Sequence, residues 1–407
     1  MSGTRVGLVC GYLDPVRDGV ADYTRRLAVQ LARDGLDPIV ITTRELARAA
    51  GQGAAGVTDR WDVKGVASAA RVLRRLDLDV VHVQFAPSVF GSCRAVGLLP
   101  LLLPRAIPWV VTLHEYGVRS GDARGARVRS ALWSALERRG YADRETLLLA
   151  TRAACLLVPS SEQLDVLRAR FPRGAPAARQ VPIGVNVEVV ANDRARGEVR
   201  RELGAPPDAA LVVFFGFLHP EKALDRLIAA VSALRAARPG VRLLLIGGAQ
   251  SHSVPSSAAR VLRAELEQAA AAAGVQGQVH FTGYLPEADV ARLLQAADVA
   301  AFPFNAGVTG KSGSLLTASA AGVPVVATAA PGLVRGPTET GGVLRIPPRD
   351  TAMLTDALER VLSDRYLADR LSAAGRVSAA SHSWEAIAAV HAEVYTQALA
   401  GHRRAVE

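Results

Sequence analysis

The stretch Phe302-Pro303-Phe304-Asn305-Ala306-Gly307-Val308-Thr309-Gly310-Lys311-Ser312-Gly313-Ser314 places small, polar and cationic residues where an apolar run stops and a helical pattern starts. Free backbone N–H groups at a helix start, together with the positive end of its dipole, form an anion site. Gly313 and Ser314 open the helix, Lys311 adds a mobile positive charge, and the hydroxyls of Ser312 and Ser314 can donate. Thr309 and Gly310 carry no side chain large enough to block a diphosphate. An ordinary flexible loop with a serine cap is the competing reading. A second cation occupies a matching turn in Phe214-Phe215-Gly216-Phe217-Leu218-His219-Pro220-Glu221-Lys222. Gly216 permits close backbone approach. Lys222 is read into the first turn of the following helix, where a cation faces the wrong end of the dipole and gains from an anionic partner. Lys64, Lys222 and Lys311 are the only lysines, so two of the three mark such turns.

The amino-terminal half offers its own turn from Gly11 to Val20, with Asp18, Gly19 and Tyr23 at the start of the next helix. His82 and Gln84 in Val80–Phe85, and His114-Glu115-Tyr116 after Val110–Leu113, add polar groups at strand ends. A structural role competes for each histidine. His114 stands out because a carboxylate and a phenol follow it directly. Other chemistries find little support. Asp77-Leu78-Asp79 has the form of a metal-binding pair but precedes its strand, so it reads as a turn. No Gly-x-Ser-x-Gly elbow occurs. Gly310-Lys311-Ser312 imitates the end of a phosphate loop, but Asn305 stands where its leading glycine belongs. The first turn lacks the full dinucleotide fingerprint.

Positioning these groups requires strands, and the chain supplies two series of them. Arg5–Tyr12, Pro38–Thr43, Asp79–Phe85, Pro108–Leu113 and Cys155–Pro159 are unalternating apolar runs suited to a parallel sheet covered on both faces. Helical patterns lie between them at Ala21–Asp34, Val66–Leu76 and Glu162–Phe171. The series restarts with Leu211–Phe217, Val241–Gly247, Val279–Tyr284, Asp298–Pro303 and Val323–Thr328, separated by helices near Lys222–Arg238, Ala258–Ala273 and Glu287–Ala297. Such alternation predicts an α/β fold of two Rossmann-like, doubly wound domains facing across a cleft. The boundaries read as 1–190 and 191–383, with a polar, strandless linker over Val187–Gly204 and a tail helix over 384–400 that crosses back to the first domain.

The 407 residues suit two such domains, and 50% hydrophobic with 21% charged residues is a globular composition. Cys10, Cys93 and Cys155 fit neither a disulfide framework nor a zinc site, so a reducing, cytoplasmic setting is expected. The run Gly97–Leu113 is too interrupted by proline and arginine to span a membrane. The formal charge of +10 is almost wholly arginine, spread along the chain without interleaved aromatics. That argues against a nucleic-acid partner. Its densest stretch, Arg119 to Arg152, reads as a solvated helical face, with peripheral membrane contact or an anionic acceptor as the alternative.

In this order, several segments resemble the retaining GT-B glycosyltransferases of family 4, or group 1. They are Pro15 to Leu31, Asp79-Val80-Val81-His82-Val83-Gln84, Thr112-Leu113-His114-Glu115, Val158-Pro159-Ser160-Ser161, Val181-Pro182-Ile183-Gly184-Val185-Asn186, Phe215–Ala223, Ala320–Ala327 and Ser383-Trp384. The resemblance covers nearly the whole chain. It implies a nucleotide diphosphate sugar as donor substrate on the second domain, a small-molecule or glycan acceptor on the first, and no bound metal or other cofactor. UDP is the first expectation for the nucleotide, with dTDP or GDP as alternatives. By the same resemblance Lys222, Gly313 and Ser314 contact the diphosphate and His114 faces the donor sugar. Gly216, Thr309, Gly310, Ser312 and Thr317 belong to the donor side, and Asp18, Gly19, Tyr23, His82, Gln84 and Glu115 to the acceptor side.

Three departures stand out. The family's arginine after the glycine turn is Phe217, a charge that Lys311 is expected to replace. Its two donor-loop glutamates fall on Thr309 and Thr317. These losses leave a catalytically silent binding subunit as an alternative, and the shared two-domain plan leaves a sugar-nucleotide epimerase as another. The resemblance also suggests natural-product or glycan biosynthesis in a bacterium as the setting.

Overall fold

A computed structural model describes residues 3–14, 18–104, 106–117, 127–172, 176–189, 192, 194–249, 256–310, 312–334 and 338–406. The chain divides into two compact units, Met1–Ile183 with Trp384–Glu407, and Gly184–Ser383.

The first unit is built on a seven-stranded sheet. Its strands are β1 (Arg5–Val9), β2 (Asp37–Thr43), β3 (Ala54–Thr58), β4 (Val80–Phe85), β5 (Trp109–Leu113), β6 (Cys155–Val158) and β7 (Ala178–Gln180), in the order β3-β2-β1-β4-β5-β6-β7. Every pairing is parallel. The second unit repeats the plan with β8 (Leu211–Phe215), β9 (Arg242–Ile246), β10 (Val279–Gly283), β11 (Val299–Phe302), β12 (Val325–Thr328), β13 (Thr338–Thr340) and β14 (Val343–Ile346). Their order is β10-β9-β8-β11-β12-β14-β13, and only the pair β13–β14 is antiparallel. Both sheets are doubly wound, as expected. All six residues of β4 and all four of β11 are buried, which explains why β11 is apolar throughout and why β4 is apolar except at His82 and Gln84.

The sequence reading misses the weak edges. β3 is Ala-Ala-Gly-Val-Thr, β7 has three residues, and β13 is an exposed Thr-Glu-Thr, so none offers an apolar run. Its linker over Val187–Gly204 is also corrected. Ala195–Glu202 is a helix that buries Ala195, Val199 and Arg200. The Arg200 guanidinium pairs with Asp298 at 2.6 Å and donates to the Ala296 carbonyl at 2.9 Å, so the charges that suggested a linker are internal ties.

The tail helix, Trp384–Val406, packs on the first unit. Ile387, Ala388, Val394 and Tyr395 share a core with Leu8, Tyr23, Leu27, Leu31, Val80 and Val110. Burying one such aliphatic side chain contributes about 1.5–3 kcal/mol, so this stripe fixes the helix firmly. Among the described residues, no helix is long and apolar enough to cross a membrane.

Candidate functional site

In a doubly wound sheet, ligands gather at the strand carboxyl ends, where the strand order reverses. In the second unit that point lies between β8 and β11. Gly216 follows β8 with a φ of 138°, and Gly247 follows β9 with a φ of 133°. Both angles lie where side chains are strained. A Cβ on Gly247 would stand 2.2 Å from the Gly216 carbonyl oxygen, and one on Gly216 would stand 3.2 Å from Ser314 Oγ. The two strand exits therefore meet backbone to backbone, and the Ser314 side chain at the start of the helix Gly313–Ala320 packs against Gly216. Ser312 caps that helix, its hydroxyl accepting from the Leu315 N–H at 3.4 Å. The first N–H groups of the helix have no partner within it.

The β11 exit loop is fastened from below. Gly307 has a φ of 79°, and a Cβ there would lie 2.2 Å from the Ala329 carbonyl oxygen. The Val308 N–H donates to the Thr328 carbonyl at 2.8 Å, and Thr328 Oγ1 donates to the Phe304 carbonyl at 2.8 Å. Thr309 and Gly310 stay exposed above this anchor. Lys311 lies outside the described residues.

Lys222 is not in the first turn of a helix, which corrects the sequence reading. Pro220–Lys222 form a short 3-10 turn, Ala223 takes a left-handed φ of 50°, and the helix Leu224–Leu234 starts after it. A left-handed alanine costs roughly 1–2 kcal/mol. The turn is tied to the β11 loop: the Asn305 N–H donates to the Glu221 carbonyl at 2.9 Å, and Arg226 donates to Asn305 Oδ1 at 2.5 Å. Lys222 Nζ sits 3.5 Å from the centre of the Phe304 ring. Burial pushes its pKa down to about 8, with the Glu221 carboxylate opposing. A cation there is positioned by an aromatic face instead of a carboxylate, which leaves its charge available to an anionic ligand.

Sequence reasoning missed Phe304, Asn305 and Gly247 as parts of this site. The glycine ending the β9 run and the two phenylalanines flanking Pro303 were the available signals. Thr317, expected on the donor side, is fully buried, and its hydroxyl has no hydrogen-bond partner. It lies one turn inside the helix and faces the interior, so it is not part of the exposed donor edge.

The first unit is arranged differently. Gly11 follows β1, but a Cβ there would lie 2.2 Å from the Val89 carbonyl oxygen and 2.7 Å from the Phe90 ring, and Trp61 Nε1 donates to the Gly11 carbonyl at 3.1 Å. The turn Ser88–Phe90 thus packs into this switch point. Asp18 is the N-cap of the helix Gly19–Arg33, accepting from Val20 and Ala21 N–H at 2.8 and 2.9 Å. Gly19 is exposed with open space around it, and nothing in the structure explains a glycine there.

Tyr23, His82 and Gln84 are corrected from acceptor contacts to interior residues. Tyr23 is 4% exposed and the other two are fully buried. His82 Nδ1 lies 2.7 Å from the Tyr395 hydroxyl and Nε2 lies 2.7 Å from Thr112 Oγ1. Burial, and then nearby His391 and His114, hold its pKa well below the usual histidine range. The cause is simple: β4 is central, so His82 and Gln84 point into packed layers, and Tyr23 lies on the helix face that packs against the tail helix.

His114 is half-buried at the exit of β5, and its Nε2 lies 2.8 Å from Gln84 Oε1. Its ring meets the edge of Tyr23 with centroids 4.8 Å apart. Glu115 is exposed, with Ser88 Oγ 3.5 Å from its carboxylate. Tyr116 turns inward, donates to Asp143 at 2.8 Å and lies beneath Arg170, which pairs with Asp143 and Glu145. This buried ion cluster anchors the loop that carries His114, since the Gly117 N–H donates to Glu145 at 3.1 Å.

Known proteins agree with this fold. The Glycosyltransferase Family 4 model matches residues 17–189, and the model for glycosyl transferases group 1 matches residues 209–364. The D-inositol 3-phosphate glycosyltransferase of Streptomyces bingchenggensis is 29% identical over 256 residues, 61% of this chain and 54% of that protein. The protein of that name from Saccharomonospora viridis is 31% identical over 253 residues, 61% and 56% of the two chains. The chain thus spans about half the length of the curated relatives it matches. Sucrose-phosphate synthase from Thermosynechococcus elongatus superposes with a TM-score of 0.71 at 22% identity, covering 98% of this chain and 100% of that one. An Anabaena protein solved in complex with UDP and glucose gives 0.71 at 16% identity, covering 97% and 99%. These two likenesses establish the GT-B fold. With both family models matched in sequence order, one on each unit, the chain belongs to the group 1, family 4 glycosyltransferases.

Proposed function

We propose that this protein transfers a sugar from a nucleoside diphosphate donor to a hydroxyl acceptor with retention of anomeric configuration and without a resident metal. The observation that carries the reading is the meeting of Gly216, Gly247 and Ser314 at the β8–β11 switch point, with Lys222 on the same exit turn. Backbone amides at a helix start and a lysine stabilise the negative charge that develops on a departing diphosphate. Lys311 adds a second cation by sequence, from the segment between β11 and the helix Gly313–Ala320. UDP is the first choice of donor nucleotide, supported by the Anabaena protein's complex. His114 faces the donor sugar, and Glu115 belongs to the acceptor side. Retention follows from same-face attack assisted by the departing phosphate, which needs no nucleophilic carboxylate.

A binding subunit without turnover is the second reading, favoured by the burial of Thr317 at a position where the family resemblance implies a glutamate. Thermal-shift titration with UDP, GDP, ADP and dTDP tests donor recognition, because a specific ligand raises the melting temperature by mass action. A response to one base followed by donor hydrolysis or transfer supports the transferase. Binding with no turnover across an acceptor panel supports the silent subunit, and no response to any nucleotide removes both.

A further inference from the structure

The turn that carries Lys222 ends in a strained residue. Within the turn, the Lys222 N–H donates to the His219 carbonyl at 2.9 Å and the Ala223 N–H to the Pro220 carbonyl at 3.1 Å. His219 Nδ1 accepts from the Glu221 N–H at 3.2 Å. Ala223, 1% exposed, then takes the left-handed φ of 50°, a conformation that an alanine adopts only against a cost. Such a turn needs support from outside.

Much of that support comes from Asn305, on the β11 exit loop. Its N–H donates to the Glu221 carbonyl at 2.9 Å, its Nδ2 donates to the Pro220 carbonyl at 3.3 Å, and its Oδ1 accepts from Arg226 at 2.5 Å. The partners fix which way the amide faces, because a carbonyl only accepts and a guanidinium only donates. Two of these bonds reach the turn and the third reaches the helix Leu224–Leu234, so they brace Ala223 from both sides. They also set the direction in which the Lys222 side chain leaves the backbone. The preceding residue, Phe304, is 9% exposed and presents the ring whose centre lies 3.5 Å from Nζ. Neighbouring residues of one loop therefore hold the lysine at both ends, Asn305 at its backbone and Phe304 at its charge. A lysine stem is flexible, and losing either hold spreads the ammonium over many positions. Of the charged groups nearby, Glu221 on the same turn acts on the ammonium, and Arg226 on the next helix is engaged by Asn305.

We infer that Asn305 is a positioning residue that holds the Lys222 ammonium over the Phe304 ring and so keeps it placed for an anionic ligand. That this ligand is the diphosphate of a donor rests on the transferase reading above, whereas the hold itself does not.

Lys222 is one of only three lysines, so NMR of the full chain labelled in lysine resolves it, identified by the signal lost in Lys222→Arg. In the wild type its ε-methylene protons should lie upfield of those of the other lysines, shielded by the ring, and should titrate near pH 8. Phe304→Leu should abolish the displacement. Asn305→Ala should move these protons downfield toward the other lysines and raise the midpoint by about one unit or more, because the ammonium regains water. Its UDP affinity at about pH 7, measured by calorimetry, should drop on the order of tenfold, with the uridine affinity unchanged. Arg226→Met keeps Asn305 but removes the donor to its Oδ1. It should lessen the ring displacement in the same direction, and it decides the matter if Asn305→Ala does not fold. A fold that is merely weakened would lower the melting temperature and leave both shift and midpoint in place. Wild-type protons without an upfield displacement, or a displacement and midpoint unmoved in both variants, would overturn the hold. A displaced, Asn305-dependent signal beside a UDP affinity untouched by Lys222→Ala would remove the diphosphate contact and leave the hold standing.

Discussion

The two units share one topology but use their switch points in opposite ways. In the second unit, the exits of β8 and β9 are held apart from side chains by Gly216 and Gly247, and a helix start and a lysine border them. In the first, the equivalent exit after β1 is occupied by Val89, Phe90 and Trp61, and the polar residues of β4 turn into the core. The same fold thus yields a backbone site in one half and a packed polar column in the other. What distinguishes them is whether a Cβ at the exit glycine would meet the start of a helix or another turn.

The sharpest way to break this contrast is at the backbone itself. Gly247→Ala forces a Cβ into the Gly216 carbonyl at a φ of 133°, so the β8 exit must shift. Donor turnover should fall by about a hundredfold, since a misplacement of about 1 Å can have that effect on rate. The column of the first unit should respond to acid instead. Burial pushes His391 down from an ordinary 6.5 to about 4, against a hydrogen bond to the Ile387 carbonyl. Above the unfolded value both states are neutral. As pH falls from 6.5 toward 4 the unfolded chain takes up a proton that the folded one refuses, so stability is lost across that window. Urea titrations should record a decline of roughly 3 kcal/mol for this group, and His391→Leu should remove that share while the share from buried His82 remains.

Lys222→Ala should lower donor turnover at least about tenfold, the loss of one charge-assisted contact. In the wild type, donor affinity should weaken as pH climbs through about 8, where the free protein's Lys222 loses its charge. Lys222→Arg should remove that dependence. Phe304→Leu deletes the ring beneath the ammonium and should raise the donor Kd about threefold to fivefold, in line with a cation–π contact of about 1 kcal/mol. Gly19→Ala, in open space on the first unit, should change melting and turnover least, within about 0.5 kcal/mol.

The same contrast explains what the sequence makes legible. Central strands such as β4, β8 and β11 are buried on both faces, so their apolar runs announce the fold. The edge strands β3, β7 and β13 carry no such run, and the charged helix Ala195–Glu202 hides an internal Arg200. Site residues follow the same logic. The stretch from Phe302 to Ser314 and the turn at Gly216 are recognisable because backbone sites require glycine and small residues at fixed places. His82, Gln84 and Tyr23 look like ligand contacts for the opposite reason, since polar residues in a core are paired only through distant partners. Here the partners are Tyr395, Thr112 and His391, and no local spacing connects position 82 with position 395.

The proposed activity requires the second unit to grip a diphosphate. Calorimetric titration of the full chain with UDP and with uridine at about pH 7, in wild type and Lys222→Ala, addresses it directly. Wild type should bind UDP at least about a hundredfold more tightly than uridine, and the substitution should remove much of that difference while leaving the weak uridine affinity unchanged. Equal affinities for UDP and uridine, or a difference untouched by Lys222→Ala, would contradict it.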